Sequence, residues 1–308
     1  MDLRQLQAFL AVVDHGGFTA AARATHTVQS NVSTHVARLE RELDAVLIDR
    51  ATGRPTQEGE AVLLRVRRIQ NELASLESDV SSLRGSPRGV VRVGIIGTTA
   101  RWLAPILADE LARSTPDIQL VVADGTTRSL NLRLLDGELD LGVVALPVDD
   151  TEVTTFPLFH EDHIVVGPKD HPLARIEREV TLADLARYPL LLAAPGTPFR
   201  REVEDTFRAA GLRIKARMEI DGMRLLASLA FQGFGVSIVP ATAAPGWIGG
   251  PWTRIPVSGL SRRTVGLASR RRGMPTVAAQ STERVVRQII AERAPDVPGL
   301  HLITSETG

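Results

Sequence analysis

The chain has 308 residues, 36 basic and 36 acidic side chains, 44% hydrophobic residues and no cysteine. This composition excludes wholesale disorder, a disulfide framework, a thiolate metal site and a cysteine nucleophile. The length predicts at least two domains. No apolar run reaches the roughly 18 residues that a membrane helix needs. Because Asp2, Arg4 and Asp14 interrupt the N-terminal apolar stretch, it does not resemble a secretion signal, and we expect a cytoplasmic protein.

The first zone, residues 1–59, has the pattern of three short helices and a basic hairpin. The apolar spacing of residues 3–13 predicts the first helix, and that of residues 32–43 predicts the last, after a tight turn at His26. This arrangement is typical of a winged helix-turn-helix. A helical hairpin with a solvated polar face fits the periodicity equally well.

Polar residues are free to line the exposed face of the third helix. Glutamine and asparagine can bind an adenine edge through two hydrogen bonds, and hydroxyls, imidazoles and guanidinium groups can bind base edges or phosphates. The candidate DNA-binding residues are Gln29, Ser30, Asn31, Ser33, Thr34 and His35 on the helix, and Arg50 and Arg54 on the hairpin.

The charge of this zone argues for dimerisation. Residues 1–60 contain six arginines and eight acids, a formal charge of −2, so non-specific attraction to phosphate is weak. Specific binding then requires two recognition helices placed in register.

The second zone, residues 60–86, has the 4-3 spacing of a coiled-coil seam over three heptads, with Thr56 available to cap its start and Gly85-Ser86-Pro87 to end it. We predict a linker helix that pairs two chains. An amphipathic helix packed on its own chain is the alternative. The candidate seam comprises Val62, Val66, Ile69, Leu73, Leu76, Val80 and Leu83.

The third zone, residues 87–295, alternates strand-like and helical segments, which predicts an α/β fold with mostly parallel sheets. Its length favours two subdomains with a cleft. A helix over 276–293 and a flexible tail over 296–308 complete the prediction. The strand-like runs are 90–96, 118–122, 139–144, 164–166, 190–193, 236–239 and 265–268.

Catalytic patterns are weak in this sequence. It has no nucleophile elbow, no H-E-x-x-H and no phosphate-binding Walker loop. The run His160-Glu161-Asp162-His163 contains metal-ligand types, but consecutive residues alternate faces on a strand. We interpret it as a solvated loop that leads into a strand. We therefore expect that the protein binds no metal or cofactor and is not an enzyme.

A candidate anion site follows the first strand of the third zone. Thr98 and Thr99 open a helix, and Arg101 lies one turn further on. Hydroxyls, free amides and an arginine at a helix N-terminus suit a carboxylate or phosphate. Simple capping by threonine is the alternative.

Several segments of the first and third zones resemble those of a known protein family. The segments L-R-Q-L-Q-A-F-L-A-V-V, G-F-T-A-A-A, V-Q-S-N-V-S, L-E-R-E-L and P-T-Q-E-G follow one another between Leu3 and Gly59. Together they resemble the DNA-binding domain of LysR-type transcriptional regulators. G-E-L-D-L-G-V-V, D-H-P-L-A and L-A-F-Q-G-F-G-V-S-I-V-P resemble the effector domain of the same family. Departures include Asp44 where the family has glycine, and Thr34 where it often has a basic residue.

The resemblance implies a C-terminal α/β domain of the type 2 periplasmic-binding-protein fold. Subdomain 1 would comprise about 90–163 and 265–293, and subdomain 2 about 164–264. By the same resemblance an effector would lie between them. Arg101 and Arg200 are equally open to interpretation as surface ion-pair partners. The implied effector-binding residues are Thr98, Thr99, Arg101, Thr127, Leu146, Thr197, Phe199 and Arg200.

We therefore hypothesise a sequence-specific DNA-binding transcriptional regulator that senses a small, anionic organic effector. The resemblance implies a dimer or dimer of dimers on an interrupted inverted repeat in a promoter, with RNA polymerase as a further candidate partner. The alternative is an α/β small-molecule binding protein or enzyme with a non-functional helical N-terminal domain.

Overall fold

A computed structural model of the protein describes residues 1–82, 86–244 and 246–303. The chain forms two compact units, Met1–Ser81 with Leu135–Glu138, and Ser82–Leu134 with Leu139–Gly308. Within the described ranges, no helix has both the length and the apolar character needed to cross a bilayer.

The first unit begins with three short helices. Asp2 and Gln5 form a capping box at the start of the first, and Gly16 ends it in the left-handed conformation. After the third helix, Ile48 and Pro55 form a single antiparallel bridge, which is all that the predicted hairpin retains of regular pairing. The helices are α1 (Leu3–His15), α2 (Phe18–Ala24) and α3 (Gln29–Leu43).

A long helix, α4 (Gln57–Ser82), completes this unit. The hydroxyl of Thr56 accepts a hydrogen bond from the Gly59 amide at 3.0 Å, as the sequence predicts for a cap. Gly59 has no substitute here, because a Cβ at this position would lie 2.0 Å from the carbonyl oxygen of Leu47.

The first turns of α4 belong to the core of the unit. Val66 is 1% exposed, and both Val62 and Leu63 pack against the same apolar cluster, which includes Phe9, Val36 and Leu39. The prediction that Val66 belongs to a dimer seam is therefore wrong, and for this residue the alternative of packing on the same chain is correct, because the hydrophobic surfaces of α1 and α3 lie within its reach. Val62 is only half-buried, so its place in the seam stays a prediction.

The second unit is a mixed α/β domain. Each strand-like run of the sequence overlaps a strand, although β4 is far longer than predicted. In chain order the elements are β1 (Gly89–Ile96), α5 (Gly97–Ser114), β2 (Ile118–Gly125), α6 (Thr127–Leu135), β3 (Leu141–Leu146), β4 (Val153–Pro168), α7 (Leu182–Ala186), β5 (Pro189–Ala193), α8 (Pro198–Ala209), β6 (Lys215–Ile220), α9 (Met223–Phe231), β7 (Ser237–Pro240), β8 (Trp252–Ile255), β9 (Arg262–Arg270), α10 (Val277–Arg293) and β10 (Leu300–Leu302).

The strands follow the order β2-β1-β3-β9-β4-β7-β5-β6, with β8 and β10 also paired to β4. Strand β4 joins two sheets: up to Asp162 it pairs with β9 and β10, and from His163 it pairs with β7 and β8. Pairs between β1, β2 and β3, and between β5, β6 and β7, are parallel. The expectation of mostly parallel sheets is thus only partly met, because β4 and β9 run antiparallel to their neighbours.

Two local predictions need correction. The tail was expected to be flexible from residue 296, yet Leu300–Leu302 pair with Phe159–Glu161, and Leu300 is buried. The run His160–His163 was interpreted as a solvated loop, but it lies within β4. There Glu161 and His163 are buried, whereas His160 and Asp162 are half-buried. The four polar residues therefore alternate between a buried and a half-buried face of the strand, and they are not all exposed.

Candidate functional site

Helix α3 presents polar side chains to solvent over a buried apolar stripe. Gln29, Ser30, Asn31 and Thr34 are exposed, and Ser33 and His35 are half-buried. The opposite face is anchored in the core by Val32, Val36 and Leu39. The exposed residues therefore lie on the first turns of one helix face, an arrangement that can enter a major groove.

The hairpin after α3 is held by an acid that sequence reasoning missed. Glu40 accepts hydrogen bonds from the amides of Leu47 and Ile48 at 2.9 and 3.2 Å, and from the Arg50 guanidinium at 2.6 Å. The same guanidinium lies 4.6 Å from the centre of the Phe18 ring. Arg50 thus ties the hairpin to α2 and α3, and Arg54 is exposed.

In the second unit, a cluster of buried polar side chains lies next to the start of α5. Thr98 accepts a hydrogen bond from Arg263 at 2.9 Å, and Arg263 forms an ion pair of 2.6 Å with Glu161, which is fully buried. The other oxygen of Glu161 accepts a hydrogen bond from the amide of Thr242 at 2.6 Å. Strands β4 and β9, helix α5 and the segment after β7 meet here.

His163 extends this group along β4. Its Nδ1 lies 3.2 Å from the Ser261 hydroxyl, and its ring makes an edge contact with Phe199, 5.0 Å between centroids. Burial, helped by repulsion from Arg263, lowers the pKa of His163 to about 4. The ring is therefore neutral at physiological pH. Burial also raises the pKa of the neighbouring Glu202 carboxyl, against a hydrogen bond from Ser261.

Three buried polar atoms of this region have no protein partner among the described residues. They are Thr99 Oγ1, Thr242 Oγ1 and His163 Nε2. Helix α5 also starts at Gly97 without a side-chain cap. Buried polar groups are nearly always hydrogen-bonded in folded proteins, so each of these three atoms is a candidate contact for a polar molecule.

Other residues implied for the effector site have structural partners. Thr197 caps α8 by accepting a hydrogen bond from the Arg200 amide. Arg200 is buried, with its guanidinium 2.7 Å from Glu204, 3.1 Å from Glu219 and 2.9 Å from the Ala193 carbonyl. The ion-pair alternative therefore holds for Arg200, whose guanidinium is already fully occupied by these partners.

Thr127 and Leu146 lie at the ends of neighbouring elements. The hydroxyl of Thr127, at the start of α6, accepts a hydrogen bond from the Ala145 amide at 3.1 Å. Leu146 ends β3 and is half-buried. Both therefore lie at the carboxyl edge of the first sheet, beyond which ligands of open α/β sheets bind.

The structure adds Arg224, which the sequence analysis missed. This residue lies in the first turn of α9, forms a 2.5 Å ion pair with Asp124 at the end of β2, and lies 3.6 Å from the point where a Cβ on Gly97 would be. Arg224 is a candidate site residue only because it lies close to Gly97 in the folded chain. In the sequence, Asp-Gly-Met-Arg carries no such signal.

Arg101 lines a different space from the residues above. It borders a cavity of about 570 Å³ together with α9 and residues 247–251. None of the residues around Thr99 and His163 lines that cavity.

The second half of the α4 stripe is exposed. Ile69, Leu73, Leu76 and Val80 are between 38% and 62% exposed. Leu83, the last residue of the predicted seam, lies outside the described residues. The stripe is thus divided: its start packs on the chain itself, and its continuation is available to a second chain.

Family models match both units. A model described as the bacterial regulatory helix-turn-helix protein of the lysR family matches residues 3–60, and one described as the LysR substrate binding domain matches residues 84–290. The chain belongs to the LysR family. It is a DNA-binding transcriptional regulator with an effector-binding domain, as the sequence analysis predicts.

Relatives of this LysR-family regulator are regulators as well, which agrees with the expectation that the chain is not an enzyme. It is 32% identical over 243 residues, 78% of each chain, to a probable hydrogen peroxide-inducible genes activator of Mycobacterium leprae. It is 28% identical to the regulator CbbR of Xanthobacter flavus, over 96% of this chain and 90% of that one.

Solved structures share the fold of this LysR-family chain. A full-length OxyR variant of Pseudomonas aeruginosa, in which one cysteine is replaced by aspartate, has a TM-score of 0.72 at 24% identity, covering 100% of this chain and 99% of that one. CbnR complexed with its target DNA has a TM-score of 0.73 at 23% identity, covering 94% and 99%.

Cysteine usage distinguishes this LysR-family protein from the OxyR proteins that it resembles. Solved OxyR structures include variants in which a cysteine is replaced, one of them with hydrogen peroxide bound. The present chain has no cysteine, so it has no thiol that peroxide could oxidise. Among the described residues no group of three or more metal-ligating side chains exists either.

Proposed function

We propose that this regulator binds an interrupted inverted repeat as a dimer or dimer of dimers, and that a small organic effector bound around Thr99 and His163 alters its transcriptional output. The observation that carries the effector site is the set of three buried polar atoms without a partner among the described residues. A regulator of this kind acts in the cytoplasm, where DNA and RNA polymerase are its partners.

The first unit supports sequence-specific rather than general DNA binding. Its formal charge of −2 over residues 1–60 makes phosphate attraction weak. Gln29 and Asn31 have the amide groups that bind adenine edges, and both are exposed on α3. Two such helices on a symmetric site supply the affinity that one lacks.

Pairing of two chains is supported by the exposed half of the α4 stripe. Ile69, Leu73, Leu76 and Val80 keep the 3-4 spacing that a two-stranded coiled coil requires. Charged substitution of Leu73, which lies outside the core cluster of the first unit, tests the pairing: Leu73→Asp should shift the protein to smaller species in sedimentation, and Glu72→Asp should not.

The chemistry around Thr99 favours an effector with a carboxylate and a second polar group. Free amides at the start of α5 and the Thr99 hydroxyl suit a carboxylate. Arg224 is exposed, with Asp124 as its ion-pair partner, and adds a cation beside Gly97. Thr242 Oγ1 and His163 Nε2 remain for a hydroxyl, carbonyl or amine. Phe199 offers an apolar surface beside the His163 ring.

The effector acts by binding one arrangement of the two sheets better than another. Thr98 and Thr99 follow β1 of one sheet, whereas His163 and Thr242 belong to the other side of the β4 junction. A molecule that contacts both sides stabilises a particular angle between them, and only that difference in affinity shifts an equilibrium.

DNA binding is tested by selection from random-sequence duplexes at two salt concentrations. We expect a two-fold symmetric site and a loss of about 1–3 kcal/mol per lost base contact in Gln29→Ala and Ser33→Ala. Gln7→Ala, an exposed glutamine on α1, is the matched control and should bind as wild type. Folded dimer that selects no site would refute the DNA part and favour the sensor-only alternative.

Effector binding is tested by thermal shift with a panel of small carboxylates. Ligands that raise the melting temperature of the wild type should fail with Thr99→Val, which keeps the side-chain volume and removes the hydroxyl. Thr115→Val, a buried threonine at the other end of α5, serves as the control. Equal shifts in all three proteins would show that Thr99 does not contact the ligand.

A further inference from the structure

The cavity beside Arg101 has the size and lining of a small-molecule site. It is open to solvent on one side and has a volume of about 570 Å³, within the 300–1,000 Å³ range of ligand pockets. Arg101 of α5 forms one side, Phe231 and Gln232 at the end of α9 form another, and residues 247–251 complete it. The lining is mainly apolar, with one cation.

Two aromatic residues, Phe231 and Trp247, line the cavity. The rings of Phe231 and Trp252 are in contact at 4.6 Å between centroids, and Trp247, which lines the cavity, is 72% exposed. An exposed tryptophan of this kind can close over a planar ligand. Such stacking stabilises aromatic pairs beyond the area that they bury.

One charged group in the wall of this cavity has no partner among the described residues. The Arg101 guanidinium has neither an acid nor a carbonyl within bonding distance, in contrast to Arg200, Arg224 and Arg263. An unpaired cation in a cavity wall favours an anionic ligand.

Gly250 separates the Trp252 indole from the cavity. It lines the cavity, and a Cβ at this position would lie 3.3 Å from Trp252 Nε1 and 2.9 Å from Cδ1. With φ at +153°, the position also disfavours other residues. A glycine here lets the cavity wall pack closely against the Trp252 ring.

We propose that this cavity is a second ligand site, separate from the effector site around Thr99, and that it takes a one- or two-ring aromatic carboxylate. The carboxylate binds Arg101, and the ring lies between Trp247 and Phe231. The two sites share helix α5, since Arg101 lies one turn after Thr98. A ligand that bridges α5 and the segment 247–251 therefore favours one placement of α5 against α9, and thereby modulates effector binding.

The test uses 1-naphthoate and the uncharged 1-naphthamide as probes, titrated calorimetrically into the full-length protein. Wild type should bind naphthoate at least about tenfold more tightly than naphthamide, because only the anion pairs with Arg101. Arg101→Met should remove that preference and bind both equally weakly. Trp247→Ala should weaken both probes to a similar extent. Being an exposed residue, Trp247 can be replaced without loss of the core.

The same titration with Thr99→Val separates this proposal from the effector site. Unchanged naphthoate binding supports a second site, whatever the fate of the effector proposal. Loss of naphthoate binding in Thr99→Val with retention in Arg101→Met would place the probe at Thr99 and overturn the proposal. Absence of naphthoate binding to wild type would overturn it as well, and a smaller oligomer in Trp247→Ala would then show that a second copy of the chain fills the cavity.

Discussion

Helix α3 and the region around Thr99 use their polar residues in opposite ways. On α3, Gln29, Asn31 and Thr34 are exposed over a complete apolar core, so the fold does not depend on them. Around Thr99, the polar residues Glu161, His163 and Thr242 are themselves buried. The polar surface of α3 is thus added to the fold, whereas the polar residues around Thr99 are part of it. Substitutions in the two regions should differ accordingly in their effect on stability.

The largest effect is expected at the buried ion pair. Arg263→Met leaves Glu161 buried without its cation and should lower the free energy of unfolding of the second unit by about 3–5 kcal/mol. Arg262→Met, which removes only the partly exposed pair with Asp162, should cost at most about 1 kcal/mol. Urea unfolding followed by tryptophan fluorescence measures both, since all three tryptophans belong to this unit. Equal losses of unfolding free energy in the two variants would show that the buried ion pair is no more important to the fold than the exposed one.

The second effect is a pH dependence from His163. Its pKa of about 4 in the folded state lies below the usual 6.5, so the unfolded chain binds the proton more readily. Stability from this residue is complete above about pH 6.5 and is lost as the pH falls from 6.5 toward 4, by up to about 3 kcal/mol. His163→Gln should therefore show a shallower loss of stability between pH 7 and pH 4.5 than wild type. Parallel curves for the two proteins would contradict a neutral buried imidazole.

A smaller effect, of opposite sign, is expected at the end of α3. Asp44 has φ at +49°, a left-handed conformation that costs most residues about 1–2 kcal/mol and glycine almost nothing. Asp44→Gly should stabilise the first unit by about 0.5 kcal/mol, because the greater freedom of glycine in the unfolded chain offsets part of the gain. Hydrogen exchange of the α1 and α3 amides measures it. Faster exchange in the variant would show that the aspartate stabilises this turn.

The smallest effect on stability is expected on α3 itself. Gln29→Ala should change the stability of the first unit by less than about 0.5 kcal/mol while weakening DNA binding. Thr34→Arg should likewise leave hydrogen exchange unchanged, and it should steepen the salt dependence of DNA binding by about one phosphate contact. A marked loss of exchange protection in either variant would show that the exposed face contributes to the fold after all.

The contrast between the regions also explains what the sequence could predict. The α3 residues follow from local spacing, because an apolar stripe leaves its other faces to solvent. The first unit and the apolar strands were predictable for the same reason. Strand β6 was missed because it has no continuous apolar run, and all its side chains except Ile220 are exposed at the edge of the sheet.

The effector region was predictable only in part. Thr98 and Thr99 have a local signal at a strand-to-helix junction. Arg263, the partner of Thr98, is 165 residues away along the chain, and Glu161 meets Thr242 over 81 residues. No spacing rule links such positions. The fates of Arg101 and Arg200 were likewise undecidable locally, since a guanidinium that pairs with acids and one that lines a cavity look alike in sequence.

The burial of Leu63 and Val66 in the core of the first unit fixes α4 rigidly to this unit. Because these side chains anchor the helix in the same core as α3, the direction in which α4 leaves the domain fixes the direction in which α3 points. If two α4 helices pair, a small change in the angle between them would rotate both α3 helices by the same angle. The spacing between half-sites that the dimer accepts is then set by the crossing angle of those helices, and a fragment cut at residue 60 would lose that register together with part of its core.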